Sequence, residues 1–269
     1  MPQEPAKKPT AKRLILSLLS APSLPEVSIA LLQRWGELFD IDAATMRVTV
    51  SRLARQGLLG NARRGSYRMG PAGRALAETA SGWRDAEART RAWDGQWLFA
   101  HVAHLGRVNR SALRARERAF RLGGFAEFAA GLWCRPANLQ ESTLDTRERL
   151  IALGLEQDAI LARVCDLPGL QDRQLFSLWP RRQIERDYRK HLRAMQSSCQ
   201  RLERLSLQAA ARETLLVGEA VIRQINADPL LPDTMIDARL RSDMIARMID
   251  YDALGRGVWA QFIASSEAS

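Results

Sequence analysis

The side chains best placed to do chemistry lie between residues 45 and 67, and the chemistry they offer is recognition rather than bond making. Arg47, Ser51 and Arg55 recur every four residues, with Thr45, Thr49 and Arg52 beside them. Guanidinium groups can pair bidentately with guanine, and hydroxyls reach bases or phosphates. No carboxylate interrupts this set between residues 43 and 67. An Asp or Glu there would be repelled by phosphate. A second group follows at once: Arg63, Arg64 and Tyr67, in a short segment turning at Gly65.

For these residues to work together, the first set must share one face of a helix and the second must sit on a hairpin beside it. Met46, Val50 and Leu53 supply the buried back of that helix at i, i+4 and i+7. Asp42 stands where an N-cap is needed, and Gly57 where the helix should end. Gly65 suits the tight turn of a two-stranded wing, with residues 66–68 as its return strand. Upstream, residues 11–20 read as a first helix broken by Pro22 and Pro25. Residues from 25 or 28 to 39 read as a second, burying Leu31, Leu32, Trp35 and Phe39. Helix, helix, turn, helix, hairpin is the order of a winged helix-turn-helix, so residues 1–91 are expected to bind double-stranded DNA.

Charge agrees with this placement. The 269-residue chain carries a formal net charge of +10, and residues 1–92 hold 15 Lys+Arg against 8 Asp+Glu. Most of the excess therefore lies around the basic helix, where attraction to phosphate requires it. Hydrophobic residues make up 46% of the chain, enough for more than one core. The cysteines, Cys134, Cys165 and Cys199, are widely spaced and form no C-x-x-C pair, which suits free thiols in a reducing compartment. Residues 1–10 carry three prolines and read as a basic arm. The apolar run at residues 14–19 resembles part of a secretory signal but fits better as helix, so a cytoplasmic chain without a transmembrane segment is expected.

Beyond residue 72 the pattern changes twice. Residues 72–92 read as one helix. Residues 93–105 have strand-like density, 110–122 helical period, 128–135 a strand, 144–154 a helix and 159–165 a strand. This alternation predicts a small ferredoxin-like α+β domain over residues 92–166. His101 and His104, three apart in a strand, should point to opposite faces, and no metal site is expected. Residues 166–176 read as a linker or a short docking segment. From residue 179 helical period dominates, with Ile184, Tyr188, Leu192 and Met195 in register, then helices over 212–226, 236–249 and 254–263. Residues 167–269 are thus expected to form a helical domain. The chain as a whole is expected to be a multidomain α+β protein.

Four stretches, in order, resemble the PaaX family of bacterial transcriptional repressors: MRVTVSRLARQGLL with the wing RRGSYRM, WDGQW at 93–97, GFAEFAAGLWCRP at 124–136, and ADPLLP at 227–232. The resemblance implies a winged helix, a central Cas2-like ferredoxin fold and a C-terminal helical domain that binds effector and dimerises. It implies repression of a phenylacetate-type catabolic operon by a homodimer, relieved when an aryl-CoA thioester such as phenylacetyl-CoA binds. After ADPLLP the chain departs from the family pattern, running on as PDTMIDARLRSDMI, charged and helical. With a CoA effector in view, Arg135, Arg181, Arg182, Arg186 and Arg223 become candidate phosphate partners, and Trp133 and Trp179 candidate apolar walls. No cofactor or metal is implied, and the protein reads as a regulator rather than an enzyme. The alternative is a metal-dependent nuclease on the Cas2-like domain, for which Asp94, just before the first strand, would be the arguable carboxylate.

Overall fold

The structure, a computed structural model, describes residues 8–20, 26–169 and 172–267. The prolines expected to break the first helix, and most of the N-terminal arm, lie outside the described residues. The chain is an α+β protein. Its elements run α1 (Ala11–Leu19), β1 (Val27–Ser28), α2 (Ile29–Glu37), α3 (Ala43–Arg55), β2 (Leu59–Arg63), β3 (Ser66–Met69), α4 (Pro71–Ser81), β4 (Trp97–His101), α5 (Arg110–Leu122), β5 (Ala126–Ala129), β6 (Leu132–Pro136), α6 (Thr143–Ala152), β7 (Ile160–Val164), α7 (Asp172–Phe176), α8 (Arg181–Leu202), α9 (Leu207–Asn226) and α10 (Ala238–Glu267). Among the described residues no helix is long and apolar enough to cross a membrane.

The described chain divides into two compact units, each assembled from separated segments. One falls within Met1–Trp83, Arg193–Ile222 and Ala246–Ser269, the other within Arg84–Leu192 and Arg223–Ile245. The sequence suggests three consecutive domains. Packing instead assigns stretches of α8, α9 and α10 to each unit.

In the first unit, α1, α2 and α3 enclose Leu14, Ile15, Leu32, Trp35, Met46 and Leu53, all with essentially no exposure. Ala211, Trp259 and Phe262 complete this core from the later segments. Trp35 and Trp259 meet edge to face, their ring centroids 6.1 Å apart. Gly36 permits the close approach of α2 and α3, since a Cβ there would lie 2.7 Å from the Met46 Cγ and 2.9 Å from the Ile41 carbonyl. The turn between these helices is tight. Asp40 takes a positive φ of 56°, and the Ile41 amide returns to the Gly36 carbonyl at 2.9 Å. Beyond α3, β2 and β3 form an antiparallel hairpin, and β1 adds a third strand, pairing Val27 with Tyr67 and Ser28 with Ser66.

In the second unit the sheet order is β5-β6-β4-β7, with every neighbouring pair antiparallel. Leu98 and Ala100 on β4, Ala119 and Phe120 on α5, and Leu150 on α6 share one core. The segment 128–135, expected as one strand, is a hairpin turning at Gly131, whose φ is 73°. The element order is therefore β-α-β-β-α-β. Two further expectations are corrected. The helix expected over 72–92 ends at Ser81 and gives way to turns and a short 3-10 segment, Glu87–Arg89, because Trp83 and Ala86 turn inward to be buried. The helices expected over 236–249 and 254–263 are one, α10, running unbroken through Gly255 and Gly257.

Candidate nucleic-acid interface

The front of α3 is built from the inside out. Met46, Val50 and Leu53 are buried at 0%, 1% and 0% exposure, which anchors one side of the helix. Burying each stabilises the fold by about 1.5–3 kcal/mol. Asp42 caps the N-terminus: its Oδ1 accepts from the Thr45 amide at 2.8 Å and its Oδ2 from the Thr45 hydroxyl at 2.7 Å. Those bonds, the hydroxyl first, hold its carboxyl below the usual carboxylate range. At the other end the Leu58 amide reaches the Leu53 carbonyl at 3.0 Å with Gly57 at φ 69°, the six-to-one closure of a glycine C-cap.

With the back fixed, Arg47, Ser51, Arg52 and Arg55 are exposed. Among the described residues no carboxylate forms an ion pair with Arg47, Arg52, Arg55 or Arg64. Thr45 is exposed as well, but its hydroxyl is committed to Asp42. Thr49 corrects the sequence reading. It is 5% exposed, because positions 46, 49, 50 and 53 fall at i, i+3, i+4 and i+7 and so belong to the buried stripe.

The hairpin separates its two arginines. Arg63 Nε donates to Glu26 Oε1 at 2.5 Å, whereas Arg64 projects from the turn unpaired among the described residues. The Arg63 hydrogen bond holds the Glu26 carboxyl below its ordinary value. Tyr67 is half-buried, its ring packed on the core of the same unit.

The residues named for a CoA effector lie in the second unit and do not converge. Trp133 stacks on Phe120 at 4.8 Å and is 9% exposed; Trp179 stacks on Trp97 at 6.2 Å and is 7% exposed. Both belong to packed aromatic clusters rather than to a ligand wall. Arg135 is 2% exposed. Its guanidinium donates to the carbonyls of Gly123 (2.5 Å), Pro136 (3.1 Å) and Pro229 (3.2 Å) and to Asn138 Oδ1 (3.2 Å). Burial pushes its pKa down to about 9. Four of its five donors are taken inside the protein and the side chain is shut off from solvent, so Arg135 is withdrawn as an effector residue. Arg181, Arg182, Arg186 and Arg223 are exposed. Arg181 binds Glu185 at 2.8 Å and Arg186 donates to Gln183 at 2.6 Å. No hydrogen bond among the described residues joins any of the four to Arg135. An open groove of about 770 Å³ lies beside the α8–α9 turn, but it is lined by Ser197, Gln200, Arg201, Glu203, Arg204 and Leu205, none of them anticipated from the sequence.

What Arg135 does instead is hold a turn. Its bond to Pro229 and the bond from Asn138 Nδ2 to the Leu230 carbonyl (2.7 Å) grip residues 228–231. Arg241 adds a bond to the Leu231 carbonyl at 2.8 Å while pairing with Glu87 at 2.8 Å. Asp228 accepts from Tyr188 at 2.5 Å and from the Leu230 amide at 2.8 Å, which supports the positive φ of Leu230, 52°. Burial raises the Asp228 carboxyl above its ordinary value and raises the Tyr188 phenol. Gly124 is required by this clamp: a Cβ there would sit 2.8 Å from the Pro229 carbonyl and 2.9 Å from the Arg135 guanidinium. The stretches GFAEFAAGLWCRP and ADPLLP are thus joined by a direct hydrogen bond, from Arg135 to the Pro229 carbonyl. Sequence reasoning missed Asn138, Tyr188, Asp228 and Arg241. No local signal sets them apart: Tyr188 and Arg241 lie in runs already dense in charged residues.

The remaining motif, WDGQW, is also a local device. Asp94 Oδ1 accepts from the Gln96 amide at 3.1 Å, Arg91 pairs with Asp94 at 3.2 Å, and Trp93 Nε1 donates to the Gln96 carbonyl at 2.6 Å. The Gln96 bond is the main reason the Asp94 carboxyl lies below its ordinary value. His101 and His104 were expected on opposite faces. Because β4 stops at His101 and a 3-10 turn follows, their rings stack at 5.2 Å. Among the described residues no group of three or more His, Cys, Asp or Glu is gathered closely enough to hold a metal ion.

No protein-family model matches the chain. No curated protein matches it either. Among solved structures it is similar to an uncharacterized protein, Rv0674, from Mycobacterium tuberculosis, with 21% identity and a TM-score of 0.62 over 93% of this chain and 99% of that one, a likeness of fold.

Proposed function

We propose that this protein is a DNA-binding transcriptional regulator whose first unit contains a winged helix-turn-helix. The observation that carries the reading is the two-sided character of α3: a fully buried apolar back, and an exposed front of Arg47, Ser51, Arg52 and Arg55 with no acid among them. Such a front suits the major groove, where guanidinium groups read base edges, and the hairpin beside it presents Arg64 to the phosphate backbone. The element order β-α-β-β-α-β and sheet order β5-β6-β4-β7 support a ferredoxin-like, Cas2-like second module.

The resemblance to PaaX repressors supports the finer reading. A homodimer would repress an aromatic-acid catabolic operon and leave its operator when an aryl-CoA such as phenylacetyl-CoA favours a state with a different half-site spacing. With Arg135, Trp133 and Trp179 withdrawn, exposed Arg181, Arg182, Arg186 and Arg223 remain as phosphate partners for such an effector.

Selection of binding sites from a random duplex library tests the first claim. Enrichment of a sequence with two-fold symmetry is the expected result. Failure to enrich any sequence, or tighter binding to single strands or RNA, overturns it. Thermal melting with phenylacetyl-CoA tests the second, with a rise in melting temperature and release of the selected duplex expected together.

A further inference from the structure

Resting on the DNA-binding reading, we infer that Val48 is a specificity-determining residue that packs on the C5-methyl group of a thymine in the major groove. Val48 is 68% exposed, at the middle of the front of α3. Its neighbours one turn away on the helix, Ala44, Thr45, Ser51 and Arg52, are all exposed, and so is Arg47 next to it. It contributes nothing to the core, which Met46, Val50 and Leu53 fill from the other side. As a β-branched residue it is a poorer choice for an exposed helical position than Ala. Isolated exposed apolar side chains are ordinary. What sets this one apart is its surroundings.

A front of arginines that no described carboxylate pairs with does not suit an apolar protein surface, which would desolvate the charges without compensating them. The counterpart must be anionic overall and offer a small apolar point within reach of the helix. Duplex DNA meets both conditions, since phosphates line the groove and the thymine methyl is the apolar feature of its floor. Position 48 also lies in the N-terminal half of the helix, the part that reaches base edges when such a helix enters the groove. Ala44, one turn earlier, keeps that end of the front low. The sequence reading passed over Val48 because it sought only groups that form hydrogen bonds.

The test uses the full chain and the duplex selected above, with each thymidine replaced in turn by deoxyuridine, which lacks only the methyl group. Wild-type protein should lose about fourfold in affinity at one position per half-site, the value of burying one methyl-sized group. Val48→Ala should bind the parent duplex about fourfold more weakly and show no further loss with deoxyuridine there. Ala favours the helix, and an unchanged circular dichroism spectrum confirms the fold. Wild-type indifference to deoxyuridine at every position, or an undiminished deoxyuridine effect in Val48→Ala, overturns the assignment while leaving DNA binding intact. A gain on replacing deoxycytidine by its 5-methyl form, with no deoxyuridine effect, moves the contact to methylated cytosine and overturns thymine as its source. Absence of selective duplex binding overturns the underlying reading as well.

Discussion

The arginines of α3 and those around the turn at residues 228–231 are one residue type put to opposite uses. Arg47, Arg52 and Arg55 stand exposed on a helix whose other side is buried, and no described carboxylate pairs with them. Arg135 and Arg241 are 2% and 3% exposed; three backbone carbonyls and Asn138 hold Arg135, while Glu87 and the Leu231 carbonyl hold Arg241. A guanidinium carries five N–H donors in a rigid fork. Where those donors are already satisfied inside the protein it is a structural clamp, and where they are presented to solvent it is available to a ligand. Arginine content alone therefore says little about binding; the deciding quantity is how many donors remain.

The sharpest way to break this comparison is to remove the clamp. Arg135→Met keeps most of the side-chain volume but takes the guanidinium from the buried Gly123 carbonyl and the half-buried Pro229 carbonyl. It should destabilise the fold by about 3–5 kcal/mol. Urea unfolding gives the value, and a loss below about 1 kcal/mol would mean that water or relaxation replaces the guanidinium.

A second test acts on the same turn through pH. The Asp228 carboxyl is raised by burial in the folded chain, so the folded state holds its proton more tightly than the unfolded state. Stability should therefore fall as pH rises from the ordinary carboxylate value through the raised one, and level off above it. Asp228→Asn removes this titration while an amide oxygen still accepts from Leu230. Subtracting its urea midpoints from those of wild type should give a difference that declines over that pH window. A difference that rises instead would show that Tyr188 and Arg241 outweigh the cost of burial.

On the exposed side, Arg52→Ala should leave the melting temperature unchanged and weaken binding to the selected duplex by about 1–3 kcal/mol, with relaxed preference at one base pair. Gel shifts on the parent site and its single-base variants measure both. Wild-type affinity and preference in this variant would remove Arg52 from the interface.

The two regions also differ in how far they could be read beforehand. The α3 front was legible because its warrant is local: a 3.6-residue period, an Asp cap and a terminal glycine all act within one helix. Thr49 was misplaced because its polarity was weighed above its position in that same period. Pairing-dependent features were not legible. Val27–Ser28 becomes a strand only through the register it makes with β3, and two residues carry no period of their own. The hairpin at Gly131 turns within AAGL, where only the glycine marks a turn. Arg135 follows Trp133 and Cys134 in the apolar run of β6. Its four acceptors come from residues 123, 136, 138 and 229, the last far away in the chain, and no local pattern announces that.

The smallest effects are expected in the wing, where the comparison recurs between neighbours. Arg63 is held by Glu26, so the pair presents little net charge, whereas Arg64 has no described acid. If the hairpin lies along phosphates, Arg64→Ala should weaken binding evenly across sequences and reduce the slope of log affinity against log salt by about 0.9, the signature of one lost phosphate contact. Arg63→Ala should leave that slope nearly unchanged. Glu26→Gln supplies the converse: freed of its partner, Arg63 becomes available to phosphate, and the slope should steepen by up to about 0.9. Fluorescence anisotropy titrations from low to moderate salt resolve these differences. Equal slopes for wild type, Arg64→Ala and Glu26→Gln would place the hairpin away from the backbone and leave recognition to α3 alone.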